Sequence, residues 1–108
     1  MSSAQHQDLA NGRWHTMSLA EQLGNVGSEY SRASQWKAKG QAALFQKAFD
    51  RLLELIDLTL ADNRWRGPKR KEISRVRQQV CTDLLQTANS SSSLMKYFDA
   101  MAVAARRS

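Results

Sequence analysis

The run Ala42–Ala61, AALFQKAFDRLLELIDLTLA, limits the possible folds more than any other part of the chain. Phe45, Phe49, Leu52, Ile56 and Leu60 recur every three or four residues, the spacing that brings side chains to one side of an α-helix. Leu44, Ala48, Leu55 and Leu58 widen that side into a broad apolar arc. Such an arc needs more than one neighbour to cover it, which predicts a bundle with this helix at its centre. Proline occurs once and glycine five times. Short alternating β-branched runs between turn signals are missing. Both facts favour helices over strands.

Taken in order, Met1–Gly12 is polar and has no period, so residues 1–13 are expected to be a flexible segment and 14–108 a single helical domain. A chain of 108 residues is long enough for one modest core. Ser18-Leu-Ala-Glu21 has the spacing of a capping box. It predicts a first helix from Ser18 to about Lys39, with Leu19, Leu23, Val26, Tyr30 and Ala33 inward. Beside them run small residues, among them Gly24, Gly27 and Ser31. Glycine inside a helix costs up to about 1 kcal/mol relative to alanine. Close approach of another helix, or of a partner chain, would offset that cost, so Gly24, Gly27 and Ser31 form a candidate helix-packing or partner face. Gly40 suits a left-handed helix end.

The segment DNRWRGP, Asp62–Pro68, breaks the pattern, and Pro68 can open the next helix. The third helix is expected to reach about Thr87, with Ile73, Val76, Val80 and Leu84 inward and Cys81 beside them as a small hydrophobe. Asn89–Ser93, NSSSS, reads as a linker. A fourth helix from about Ser92 to Arg106 carries Leu94, Tyr97, Phe98, Met101 and Ala105. Four helices joined by short connections predict an all-α, antiparallel up-down-up-down four-helix bundle.

The charge is concentrated. Between Arg64 and Arg77 lie seven basic residues and one acid, Glu72, so this window alone accounts for the formal net charge of +6. Arg64 and Arg66 follow the apolar helix, where cations favour its terminal carbonyls. Lys69, Arg70 and Lys71 fall in the first turn of the third helix, where the positive dipole end repels cations. An anion docking there would remove the conflict, because free amides and nearby cations both attract phosphate. Arg75 and Arg77 extend the basic surface along the helix. The candidate nucleic-acid-binding set is therefore Arg64, Trp65, Arg66, Lys69, Arg70, Lys71, Arg75 and Arg77. Trp65 is included because a turn tryptophan can stack on an unpaired base, although such rings more often fold over the core. Phosphate contacts of this kind carry no sequence information.

Other chemistry is thin. His6 and His15 are the only histidines, and no cysteine or acid cluster stands at ligand spacing near them, so no metal site is expected. Cys81 has no base in reach by sequence, and Glu29, Asp57 and Asp83 form no evident pair. No phosphate-binding glycine loop occurs. The expectation is a protein that is not an enzyme and needs no cofactor. The lone cysteine suggests a reducing compartment. No apolar run approaches the roughly 20 residues of a membrane span, and no signal peptide is evident. A cytoplasmic protein is the expectation.

The segments WHTMSLAEQLGNVGSEYSRASQW, KAFDRLLELIDLTLADNRWRG and KYFDAMAVAARR together resemble a group of short bacterial proteins of unknown function, over about Trp14 to Arg107. Some of these sit near reverse transcriptases of diversity-generating retroelements. The chain is similar in size, charge and helical class to the accessory proteins of those elements, which are basic bundles, some pentameric, that contact the reverse transcriptase and its RNA. Tyr30 and the NSSSS linker depart from the group's pattern. The resemblance implies a nucleic-acid-linked role, a polymerase-type partner and a homo-oligomer.

Two readings of function follow. The first is an accessory bundle that binds RNA or DNA backbone without strong sequence preference. The alternative is a protein–protein adaptor or self-assembling bundle that does not bind nucleic acid. A peripheral membrane binder using the same charges on acidic lipid is the least favoured.

Overall fold

Ser18 begins the first helix as its spacing to Glu21 predicts. Its hydroxyl accepts from the Glu21 amide at 3.1 Å, and the Glu21 carboxylate accepts from the Ser18 amide at 2.8 Å. Two donors that a helix start leaves unpaired are thereby satisfied. The helix, α1, spans Leu19–Ala38. Gly40, at φ 70°, closes it: the Gly40 amide donates to the Lys37 carbonyl and the Gln41 amide to the Trp36 carbonyl, the pair of bonds that ends many helices.

α2 spans Ala42–Leu60, α3 Pro68–Leu85 and α4 Ser92–Arg107, and a short 3-10 turn, Trp14–Thr16, precedes α1. The computed structural model describes residues 12–86 and 92–107, without the side chains of residues 92 and 93. Among these all regular structure is helical. Residues 1–11 of the expected flexible segment, Thr87, and Asn89 to Ser91 of the expected linker lie outside the described residues. Ser92 and Ser93 open α4.

Consecutive helices run in opposite directions. Arg51 in α2 lies 3.9 Å from Glu29 in mid-α1, while Asp62, just past α2, accepts from Gln22 near the α1 start. Arg70 of α3 reaches the Leu60 carbonyl, and Arg77, two turns on, pairs with Asp57, further back along α2. Phe98 of α4 meets Gly27 of α1, and Ala102 meets Gly24. The protein is an antiparallel four-helix bundle.

The centre is α1, which corrects the expectation for α2. α1 lies closely against both α2 and α4 and also touches α3. Its side chains Leu23, Val26, Tyr30 and Ala33 are buried. α2 covers only part of its arc. Ala48, Phe49, Leu52, Leu55 and Ile56 are buried, but Phe45, Leu58 and Leu60 are partly open and Leu44 is exposed. Residue size explains the exchange of roles. A Cβ added to Gly27 would sit 2.5 Å from the Phe98 Cβ, and one on Gly24 would sit 3.5 Å from the Ala102 Cα. The small residues let α4 close on α1, so that α1 lies closely against two helices, whereas α2 lies closely against α1 alone. The small-residue face thus packs inside the bundle against the chain's own α4. Ser31 borders the same groove, beside Arg32, Gln35, Met95 and Asp99.

Candidate nucleic-acid interface

The basic turn is anchored by its first residue. Asp62 is buried at 3 % exposure. Its carboxylate accepts from the Arg64 amide at 3.1 Å and from the Arg64 guanidinium at 3.0 and 2.7 Å. Gln22 Nε2 donates to it at 3.0 Å, and His15 Nδ1 lies 3.2 Å away. The Arg64 bonds, opposed by burial and helped by Gln22, hold the Asp62 carboxyl well below the usual carboxylate range.

Gln22 links this carboxylate to the core. Its amide nitrogen also donates to the Trp14 carbonyl at 2.8 Å, and its oxygen accepts from Trp65 Nε1 at 2.7 Å. Trp14 Nε1 donates to the Thr59 hydroxyl at 3.2 Å, which itself donates to the Leu55 carbonyl at 2.9 Å. Each buried polar group in this chain of contacts has a partner, as burial requires. Gly67 then takes φ 60° and ψ −127°, and Pro68 starts α3.

The eight predicted interface residues separate into three groups. Arg64 and Arg77 are paired with carboxylates of the same chain, Arg64 with Asp62 and Arg77 with Asp57 at 2.9 Å. Trp65 is 9 % exposed, and the Arg64 guanidinium carbon and the Lys69 ammonium lie 4.5 Å and 5.3 Å from its ring centroid. It belongs to the core, as turn tryptophans more often do, and this removes it from the candidate set, where it stood as a ring that could stack on a base. The third group, Arg66, Lys69, Arg70, Lys71 and Arg75, is exposed. Arg66 donates to the Asn63 carbonyl at 3.0 Å, and Arg70 donates to the Leu60 carbonyl at the end of α2. Both keep their full charge. Among the described residues none of the five forms an ion pair with a carboxylate.

These cations surround a helix start that no side chain caps and whose first turn holds no acid. Pro68 has no amide to offer, and the Lys71 amide is bonded to the Gly67 carbonyl at 3.0 Å. The Lys69 and Arg70 amides are thus first-turn donors without a helical acceptor. Glu72 accepts from the Tyr97 hydroxyl. Arg106 and Arg107 are exposed in the last turn of α4. Because α4 runs antiparallel to α1, that turn lies toward the same end of the bundle as the basic turn.

Trp14, Gln22, Thr59 and Asp62, which set the turn's shape, were not singled out by sequence patterning. Trp14 is fully buried and Met17 partly so. An apolar residue just before a capping box is a known staple signal, and it marks this segment as part of the fold. The acids without an evident role are each bonded within the chain: Glu29 to Arg32 at 2.6 Å, Asp57 to Arg77, and Asp83 to the Tyr30 hydroxyl. Among the described residues no three His, Cys, Asp or Glu side chains gather as a metal site, and no helix is long and apolar enough to cross a membrane. No protein-family model, curated protein or solved structure matched the chain on comparison.

Proposed function

We propose that this protein is a non-enzymatic bundle that binds nucleic-acid backbone through Arg66, Lys69, Arg70, Lys71 and Arg75. One observation carries the reading: five exposed cations lie at and around the start of α3, three of them, Lys69, Arg70 and Lys71, where the helix dipole disfavours cations, and no carboxylate of the described chain neutralises them. An anionic ligand there gains from the charges and from the first-turn amides together. Contact with phosphates alone gives binding that depends on salt more than on sequence. A polymerase-type protein and further copies of the chain are the companions implied by the resemblance to retroelement accessory proteins.

The test is fluorescence polarisation of labelled nucleic acid with the wild-type chain and with a Lys69→Glu, Lys71→Glu, Arg75→Glu variant. Arg70 is left in place because it also closes the end of α2. If all five cations engage phosphates, wild-type affinity falls about 500-fold between roughly 50 and 200 mM salt. The variant is expected to lose binding at either salt while its circular dichroism stays unchanged. Binding that survives the triple reversal removes this patch from the function.

A further inference from the structure

We infer that the ligand of this patch is a duplex rather than a single strand, lying along the outward stripe of α3. The inference rests on the nucleic-acid reading above. It starts from what α3 presents. At about 100° per residue, Lys71, Arg75, Gln78 and Thr82 share one stripe, and all four are exposed. Glu72 and Asp83 lie off that stripe, and each is bonded to a tyrosine hydroxyl. The stripe therefore offers cations, amide and hydroxyl but no carboxylate to repel a phosphate. α3 is held to the bundle mainly by the buried Ile73, Val76, Val80 and Leu84. Among the described residues its opposite side is exposed along its length of about 27 Å.

Single-strand sites combine a basic track with aromatic rings on which bases stack, at about 1–3 kcal/mol per base. The ring that could have served here, Trp65, is buried, donates its Nε1 to Gln22 and already has two cations against it. A flexible strand would find no stacking platform at the turn and would lose conformational freedom on binding. A duplex is already ordered and carries the denser phosphate charge, so fixed cations on a rigid helix can meet it at smaller entropic cost. Arginine and glutamine on an exposed helix are also side chains that can reach base edges in a major groove.

The experiment compares the wild-type chain on DNA and RNA duplexes of about 20 base pairs with the corresponding single strands, in one low-salt buffer. The duplex of at least one sugar type is expected to bind about tenfold or more tighter than its single strands, the scale of one missing base stack. Gln78→Glu places a negative charge on the stripe and is expected to weaken duplex binding about fivefold. Single strands binding as tightly as duplexes of both sugars would overturn the inference, and so would an unchanged duplex affinity in Gln78→Glu. Absence of binding to every probe would instead reject the nucleic-acid reading, and the inference with it.

Discussion

Two glycines one turn apart on α1 are expected to respond to alanine with opposite signs. At Gly27 the new Cβ would meet the Phe98 Cβ at 2.5 Å and its Cγ at 2.8 Å. Ordinary carbon contacts are about 3.5–4.0 Å. The Phe98 Cβ is fixed to the α4 backbone, so a rotamer change cannot clear the clash and α4 must move outward by about 1 Å. Overpacking of this kind costs about 1–3 kcal/mol. Better helix propensity returns at most about 1 kcal/mol, which leaves a net loss of up to about 2 kcal/mol when that return is complete. Outward movement also disturbs the Tyr30–Phe98 ring contact, at 5.4 Å between centroids. At Gly24 the nearest atom, the Ala102 Cα, would be 3.5 Å from the new Cβ. That is normal contact, so Gly24→Ala is expected to stabilise by up to about 1 kcal/mol. Urea unfolding followed by circular dichroism reads both variants, with midpoints moving in opposite directions at unchanged slope. The melting temperature should follow at about 4–8 °C per kcal/mol. Midpoints that move the same way in both variants would refute the account of how α1 and α4 pack.

Two further substitutions probe the turn. Asp62→Asn removes the charge from bonds that Arg64 makes to a buried acceptor, and a loss of about 1.5–3 kcal/mol is expected. The Asp62 carboxyl is held below the unfolded value of about 3.9. Its contribution is therefore complete above about pH 4 and fades as the pH falls towards the depressed folded value. Acid titration of stability should be flatter in Asp62→Asn than in wild type, and parallel curves would count against the network. Trp65→Phe leaves the buried Gln22 oxygen without its donor and is expected to cost about 1–3 kcal/mol. Nucleic-acid affinity should not change in that variant, and a drop in affinity with the fold intact would return Trp65 to the interface.

The helices were readable because their signals are local. Ser18 and Glu21 are three residues apart, Gly40 and Gly67 sit where the backbone needs positive φ, and Pro68 falls at the first position of α3. Which helix stands at the centre was not readable in the same way. The apolar arc of α2 is the most conspicuous pattern in the chain, but α1 gains a second close neighbour, α4, and that contact depends on Gly24 and Gly27 facing Ala102 and Phe98. The cations of the candidate site were legible as a cluster. Their pairing was not, because Arg77 reaches Asp57 across 20 positions of sequence. Trp65 could be read from its turn position either as a stacking ring or, more often for such rings, as a cover on the core. Its burial depends on Gln22, which lies 43 positions earlier.

The ties at Asp62 give the segment ahead of α1 control over a surface it does not form. Trp14 supplies a carbonyl to Gln22 and an indole N–H to Thr59, His15 leans on Asp62, and the Met17 carbonyl accepts from Arg64 at 2.6 Å. Cleavage behind Met17 would sever all of these at once and leave the four helices in the chain. Arg66 would then ride on a loosened loop, and its charge would no longer be held in register with those of Lys69, Lys71 and Arg75 on α3. The leading segment thus acts as a latch on the loop that leads into the cations of α3, lying directly against Asp62 and Arg64.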